Sequence, residues 1–285
     1  MSVSIAHLGP PGTYAEAATL AYIRNLATEK GSEPLLCPYP SISQTLYSVA
    51  QGQADLAIVP VENSIEGSVV VTLDLLWQLD MLKIQQSLVL PIRHTLLSRS
   101  SILEAIKTVY SHPQALAQCQ QWLEKFLPGV QLIPTNSTTE ALHYLDEDYT
   151  AAAIASERAA QLYNLPVLAS AINDYPDNCT RFLVVGKQPS TGGSHTSLAF
   201  STLANIPGAL VKPLQVFAER EINMSRIESR PTKRSLGEYL FFVDIEANAS
   251  QTSIKAALEE LASSTEILKI FGSYSVLSID LVMEE

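Results

Sequence analysis

Residues 54–61 read ADLAIVPV, an apolar run whose one charged side chain, Asp55, sits near its start. Successive side chains of a strand point to opposite faces, so a strand without polar alternation is stable only where both faces are covered. The run is too short for a helix and is bounded by GQ and EN, which makes it a strand. Covering layers on both sides of a sheet are the mark of an α/β fold, and the neighbouring sequence supplies them. VSIAHLG reads as a strand, a Pro/Gly turn follows, and a helix is expected from Thr13 to about Glu29. SQTLYSVAQGQ is a helix feeding the apolar strand, and KIQQSLVLPIRHTLL is extended in character. The alternation then resumes: KTVYSH strand, PQALAQCQQWLEKF helix, VQLIPT strand, STTEALHYLDED helix, TAAAIAS strand.

Two of these units echo one another. Residues 41–60 lie without gaps on residues 137–156, placing Leu46 on Leu142, Ala57 on Ala153 and Ile58 on Ile154. Identity is low, and chance likeness between two βα units is as good a reading. The functional reading is a pair of similar lobes with a ligand cleft between them, crossed by the extended stretch at 87–97 and by the strand Phe182–Val185. Residues 187–195, KQPSTGGSH, break the pattern as a linker. Beyond it the order is βαββαβ, the ferredoxin-like arrangement, over about ninety residues.

With 285 residues there is length for two domains, and 47% hydrophobic content supports a sizeable core. The 18 Lys+Arg against 29 Asp+Glu leave a net charge of −11, which disfavours nucleic acid as a partner. Cys37, Cys119 and Cys179 are scattered and odd in number, as expected of reduced thiols in the cytoplasm. The first residues, MSVSIAHLGPP, have no basic segment before an apolar core, and no apolar run approaches the ~20 residues of a membrane helix.

Three polar turns follow buried strands in the first domain. GPPGTY places Gly12 and Thr13 before a helix whose start offers unpaired N–H groups to an anion, although Thr13 equally fits a plain helix cap. The apolar strand at 54–61 ends in Glu62, Asn63 and Ser64, at the carboxyl end of the sheet where α/β ligands bind; a capped turn is the alternative. NCTRF sets the Thr180 hydroxyl and the Arg181 guanidinium at a strand mouth, the latter a fork suited to a carboxylate or to a surface acid. No histidine spacing suits a metal, and no P-loop, nucleophile elbow or dinucleotide fingerprint occurs, so any chemistry is expected to run without metal or cofactor.

GPPGTYAEAA, VPVENSIEGSV, SHPQALAQC, AAAIAS and NCTRF, in that order, resemble prephenate dehydratases, and GAL with NMSRIESRP resembles the ACT regulatory domain that follows in that family. The resemblance spans essentially the whole chain. It implies a bilobal, periplasmic-binding-protein-like catalytic domain over 1–187, a linker at 188–194 and a ferredoxin-like ACT domain over 195–285. It also implies dehydration and decarboxylation of prephenate to phenylpyruvate in the cytoplasm, with phenylalanine as effector and a homodimer or homotetramer. Thr180, Arg181 and Phe182 would be catalytic: a hydrogen bond to the departing hydroxyl, a clamp on the pyruvyl carboxylate or the loop, and packing beneath it. Gly12, Thr13, Asn63 and Ser64 would cradle the dianion, with Glu62 either protonated by burial or turned away. Gly208, Ala209, Leu210, Asn223, Glu228, Ser229, Arg230 and Pro231 would hold phenylalanine. The chain departs from the usual Gly-Thr-Phe-Ser at Tyr14 and Ala15, and Pro213 is expected to bend or shorten the first ACT helix. An arogenate dehydratase and a non-catalytic solute sensor are the alternative functions.

Overall fold

The computed structural model describes residues 2–27, 34–146 and 148–279. The strand Leu56–Asn63 lies inside a ten-stranded sheet, parallel to Ser4–Leu8 and antiparallel to Cys179–Gly186. Both of its faces are buried. Ile58 joins the helix Tyr14–Ala27 in one core, while Ala57 and Val59 pack with Leu46, Leu73 and Leu76 of the helices Ile42–Ala50 and Val70–Gln78 in another. The expected last residues of the first helix lie outside the described ones. An edge strand, Leu35–Tyr39, completes this lobe; the Pro38 within it interrupts the apolar pattern that marks the other strands.

The second lobe holds a five-stranded sheet in the order Val167–Ala169, His94–Leu97, Ala151–Ser156, Thr108–Ser111, Gln131–Pro134. Its topology repeats the first. Ala57 pairs with Ala6 and Ala153 with Tyr110 in parallel ladders, while Ile58 faces Val184 and Ile154 faces Leu96 across antiparallel ones. Even the caps correspond: Ser41 Oγ accepts from Gln44 N at 3.2 Å, and Ser137 Oγ accepts from Glu140 N at 2.9 Å. The weak sequence echo is therefore a structural repeat, although its second helix tightens to the 3₁₀ segment Glu140–Leu145.

The chain crosses between lobes after the strand Lys83–Pro91. It returns over residues 170–178, so Phe182–Val185 is not a crossing as expected but a central part of the first sheet. The single helix expected from Pro113 breaks into Pro113–Ala117 and Gln120–Phe126. Asp174 is the cause. Its backbone N–H takes the Gln118 carbonyl at 2.8 Å, and its carboxylate accepts from Gln121 N and Trp122 N at 2.9 and 3.0 Å, capping the second piece.

The C-terminal unit has the βαββαβ order, with the helices Val211–Ala218 and Thr252–Ser264 on one face of its four strands. Pro213 falls in the first helical turn, where its missing N–H would be unpaired anyway, so that helix stays short and unbroken. The other face of this sheet packs Phe242, Phe271 and Tyr274 against Leu73, Leu76 and Ile84 of the first lobe. The long last strand, Thr265–Ser278, pairs in parallel with Lys83–Pro91, so one sheet runs through both units. The segment at 188–194 lies against that strand: Ser190 Oγ donates to Ser273 O, and a Cβ at Gly193 would clash with the Tyr274 backbone.

Candidate active site

The repeat places the carboxyl ends of both sheets opposite one another, and a cleft of about 820 Å³ lies between them. The first lobe contributes the turn at Gly9–Pro11, then Thr13, Tyr14 and Ala15, and the strand ends at Pro60, Asn63, Thr180 and Phe182. The second contributes His94, His112, Gln118, the turn around Ser137–Glu140, His143 and Tyr163. Among the described residues the lining holds neither Lys nor Arg, and its one acid is Glu140, whose two oxygens accept from Asn136 N and Nδ2 at 2.8 and 3.1 Å.

A buried chain of polar side chains forms the floor. Asn63 is its hub. The two hydrogens of its Nδ2 are shared among three acceptors, Asn178 Oδ1 at 2.9 Å, Thr180 Oγ at 3.0 Å and Cys179 O at 3.2 Å; its Oδ1 accepts from Ile65 N and Glu66 N, both at 3.1 Å. Asn178 Nδ2 donates to Gln118 Oε1 at 2.9 Å, which also takes His94 Nε2 at 2.9 Å. With Gln118 accepting, Nε2 carries the His94 proton, and Nδ1 faces the Tyr14 hydroxyl at 3.0 Å. Burial lowers the His94 pKa, only partly offset by Gln118, so the ring is neutral near pH 7. Burial likewise raises the Tyr14 phenol well above its ordinary value. The chain is thus uncharged and spans both lobes. Because Thr180 Oγ accepts from Asn63 and donates to no described protein acceptor, its proton is left for the cleft.

The sequence has relatives that agree with this geometry. A family model described as prephenate dehydratase matches residues 5–190, and one described as ACT domain matches 196–263. The chain belongs to the prephenate dehydratase family. It is 38% identical to the prephenate dehydratase of Lactococcus lactis subsp. cremoris, over 97% of this chain and 99% of that one. It is 43% identical to the bifunctional chorismate mutase/prephenate dehydratase of Aquifex aeolicus, over 95% of this chain and 73% of that one. Among solved structures, the prephenate dehydratase of Arthrobacter aurescens in complex with L-Phe superposes with a TM-score of 0.85 at 34% identity, covering 96% of this chain and 90% of that one. The enzyme is accordingly a lyase, a prephenate dehydratase carrying an ACT domain.

The residues singled out in the sequence divide between the cleft and its supports. Thr180, Phe182, Asn63 and Thr13 line it, and Phe182 packs in one core with Leu90 and Val184. Thr13 does cap its helix, accepting from Glu16 N at 3.3 Å. Ala15 meets the cleft with a methyl, and the hydroxyls on that wall are those of Thr13 and Tyr14. Gly12 does not line the cleft. It holds φ +87°, and a Cβ there would come within 3.1 Å of Thr139 Cγ2 and 3.3 Å of Ala159, so it is where one lobe touches the other. Ser64 also stands outside the lining and braces the mouth by accepting from Cys179 N at 3.0 Å.

Arg181 is not inside the cleft. Thr180 and Phe182 occupy the cleft face of a strand, so the residue between them points the other way. Its Nη2 reaches Asp244 at 2.6 Å and Glu62 at 3.0 Å, which leaves no guanidinium to clamp a substrate carboxylate there. Glu62 is turned away with it, toward the ACT sheet.

The ACT motifs are likewise apart within one chain. Gly208 holds φ +82° in the turn that precedes the Val211 helix, with Ala209 N bonded to Ile206 O. Leu210 packs beneath that helix, and Asn223 O accepts from Glu246 N. Along the edge strand Met224–Pro231, Glu228 accepts from Ser68 Oγ at 3.1 Å and Arg230 faces Asp74 at 3.4 Å, while Ser229 and Pro231 are exposed. Among the described residues no hydrogen bond or ion pair joins 208–210 to 228–231. The sequence reading passed over Gln118, His94, Tyr14 and Asn178. Gln118 carried a signal: on a helix it shares a face with Ala115 and Trp122, and an amide on an apolar face has to find partners.

Proposed function

We propose that prephenate is dehydrated and decarboxylated in the interlobe cleft with Thr180 as the donor to the departing hydroxyl. Overall the dianion takes up one proton and yields phenylpyruvate, carbon dioxide and water. As the ring carboxylate leaves, the electrons of its C–C bond enter the ring and expel the hydroxyl on the opposite carbon, and aromatisation drives the step. The enzyme has to grip the dianion, exclude water and stabilise the leaving oxygen. A threonine hydroxyl is too feeble an acid to protonate on its own, so Thr180 acts as a hydrogen-bond donor whose polarity Asn63 enhances. Without a cation in the lining, neutral donors and the free N–H groups at the start of the Tyr14 helix hold the substrate, a grip by positioned dipoles.

The observation that carries this reading is the setting of Thr180: it lines the cleft and its oxygen accepts from a buried amide, which leaves its proton for the substrate. Replacing Thr180 with Ala should lower kcat by about 10²-fold or more, and Ser should retain most of it. Phenylpyruvate absorbance on adding prephenate reads both, and near wild-type turnover in the Ala variant removes Thr180 from the mechanism. The same assay excludes a pure sensor. Prephenate is favoured over arogenate because Glu140, the lining acid, has both oxygens occupied and is poorly placed to pair with an ammonium.

Phenylalanine as effector is supported by the L-Phe complex of the Arthrobacter aurescens relative and by the Gly208–Leu210 and Glu228–Pro231 motifs, with a coupling of about 1–3 kcal/mol as for most effectors. The two motifs, apart in one chain, would meet across a homodimer or homotetramer. The edge strand Met224–Pro231 and the exposed Leu203, Ile206, Val211 and Ile227 support such pairing. The Cys119 thiol, buried and pushed far up by desolvation, suits a cytoplasmic, reduced protein.

A further inference from the structure

Behind the strand mouth, on the face away from the cleft, four charges alternate in a closed ring. Arg181 contacts Asp244 at 2.6 Å and Glu62 at 3.0 Å; Arg226 contacts the same two acids at 3.6 and 3.7 Å. Arg181 and Glu62 belong to the catalytic unit and are partners across its two central strands. Asp244 and Arg226 belong to the ACT sheet and are partners across theirs. Asp244 is 2% exposed. Burial pushes its carboxyl up, and the Arg181 and Arg226 guanidiniums more than reverse this, so it remains ionised. Its other oxygen accepts from Ser197 Oγ, which itself lies 2.6 Å from the Tyr274 hydroxyl.

We propose that Asp244 is a positioning residue for the dehydration: from the ACT sheet it fixes Arg181, and through that residue's backbone it fixes Thr180 and Phe182 on either side. The inference rests on the reading that Thr180 serves the leaving group. Three features carry it. Arg181 stands between the two cleft-facing residues, so a shift of its anchor turns both. The ladder with Leu56–Asn63 is irregular between Arg181 and Phe182, with Glu62 opposite the first and Pro60 opposite the second, so the backbone there is held in regular register on one side only, by Leu88–Leu90. The anchor is also incompletely satisfied, because Arg181 Nε and Arg226 Nε are buried without hydrogen-bond partners. A ring short of partners can rearrange, and Arg226 lies on the Met224–Pro231 strand that also carries Glu228 and Arg230. Movement of that strand would therefore reach Thr180 through Asp244 rather than through the cleft.

The test uses full-length protein, Asp244→Asn, Arg181→Gln and the double variant, with kcat and KM for prephenate measured separately. Asp244→Asn should lower kcat about tenfold with KM within about twofold, because no cleft residue is replaced and the shift falls on the donor to the leaving group, and the double variant should be no slower than the slower single one. Asp244→Glu should recover part of kcat, which mere loss of packing would not. If Asp244→Asn fails to fold, Ser197→Ala is read instead, with a fall of about threefold expected on the same reasoning. A kcat within twofold of wild type in the folded variant, or losses that multiply in the double variant, overturns the proposal. An active Thr180→Ala enzyme would undo the site reading itself, whereas an inactive one beside a wild-type Asp244→Asn would undo this inference alone.

Discussion

Asn63→Asp changes one atom type at the hub of the floor and keeps the shape. Oδ1 can still accept from Ile65 N and Glu66 N at 3.1 Å. The second oxygen, in place of Nδ2, would face three acceptors: Asn178 Oδ1 at 2.9 Å, Cys179 O at 3.2 Å and Thr180 Oγ at 3.0 Å. Only Thr180 can answer, by turning its proton away from the cleft to the new carboxylate. Cys179 O keeps the Ser64 N–H at 2.9 Å, whereas Asn178 Oδ1 keeps only the Ser64 hydroxyl at 3.4 Å, so stability should fall by about 1–3 kcal/mol. A hydrogen bond to a charged group is worth about 1.5–3 kcal/mol and must break before Thr180 can serve substrate, which corresponds to about 10- to 10²-fold in kcat. Burial among acceptors raises the introduced carboxyl's pKa, and its protonated form can donate again. Turnover relative to wild type should therefore be lowest near pH 8 and recover toward pH 6.5, as read by phenylpyruvate release across that range. A variant as active as wild type at pH 8 would refute the donor direction assigned to Asn63 and with it the freedom of the Thr180 proton. A folded variant whose loss does not shrink on acidification would do the same.

Two further outcomes follow from the same geometry. Gly12→Ala asks a residue with a side chain to hold φ +87° and to fit within 3.1–3.3 Å of Thr139 and Ala159, and these together should cost about 2–4 kcal/mol in urea unfolding. Since the contact joins the lobes, KM should rise more than kcat falls; an unchanged KM would mean that the lobes close without it. His7, His94 and His112 all have pKa values lowered from 6.5 by burial, so the folded state resists protons that the unfolded state accepts. Their contribution to stability is present above pH 6.5 and lost as pH falls through their lowered values. The melting temperature should hold from pH 8 to 7 and decline below 6.5, less steeply in His94→Gln. A melting temperature that does not decline across that range would show these rings to be protonated in place.

What could be read from the sequence and what could not divide along a physical line. ADLAIVPV could be placed because a strand apolar on both faces has few homes, and the polar residues at its end then had to sit at a sheet's carboxyl edge. Asn63 was reached by that route, and Thr180 by its place at the mouth of another apolar strand. The side chains that complete the floor were not, because Gln118 and His94 come from the other lobe and their worth depends on which amide they meet, a matter of tertiary placement. Arg181 is the instructive case. Its chemistry invited a role as an anion clamp, yet the alternation of a strand already contained the objection: if Thr180 and Phe182 both face the substrate, Arg181 cannot. What alternation could not supply is the destination of the guanidinium, a carboxylate 63 residues further along the chain. A charged residue flanked by two cleft-facing neighbours is thus better read as an anchor than as a ligand. Its partner is to be sought in whatever layer covers the far side of the sheet, which here is the ACT domain.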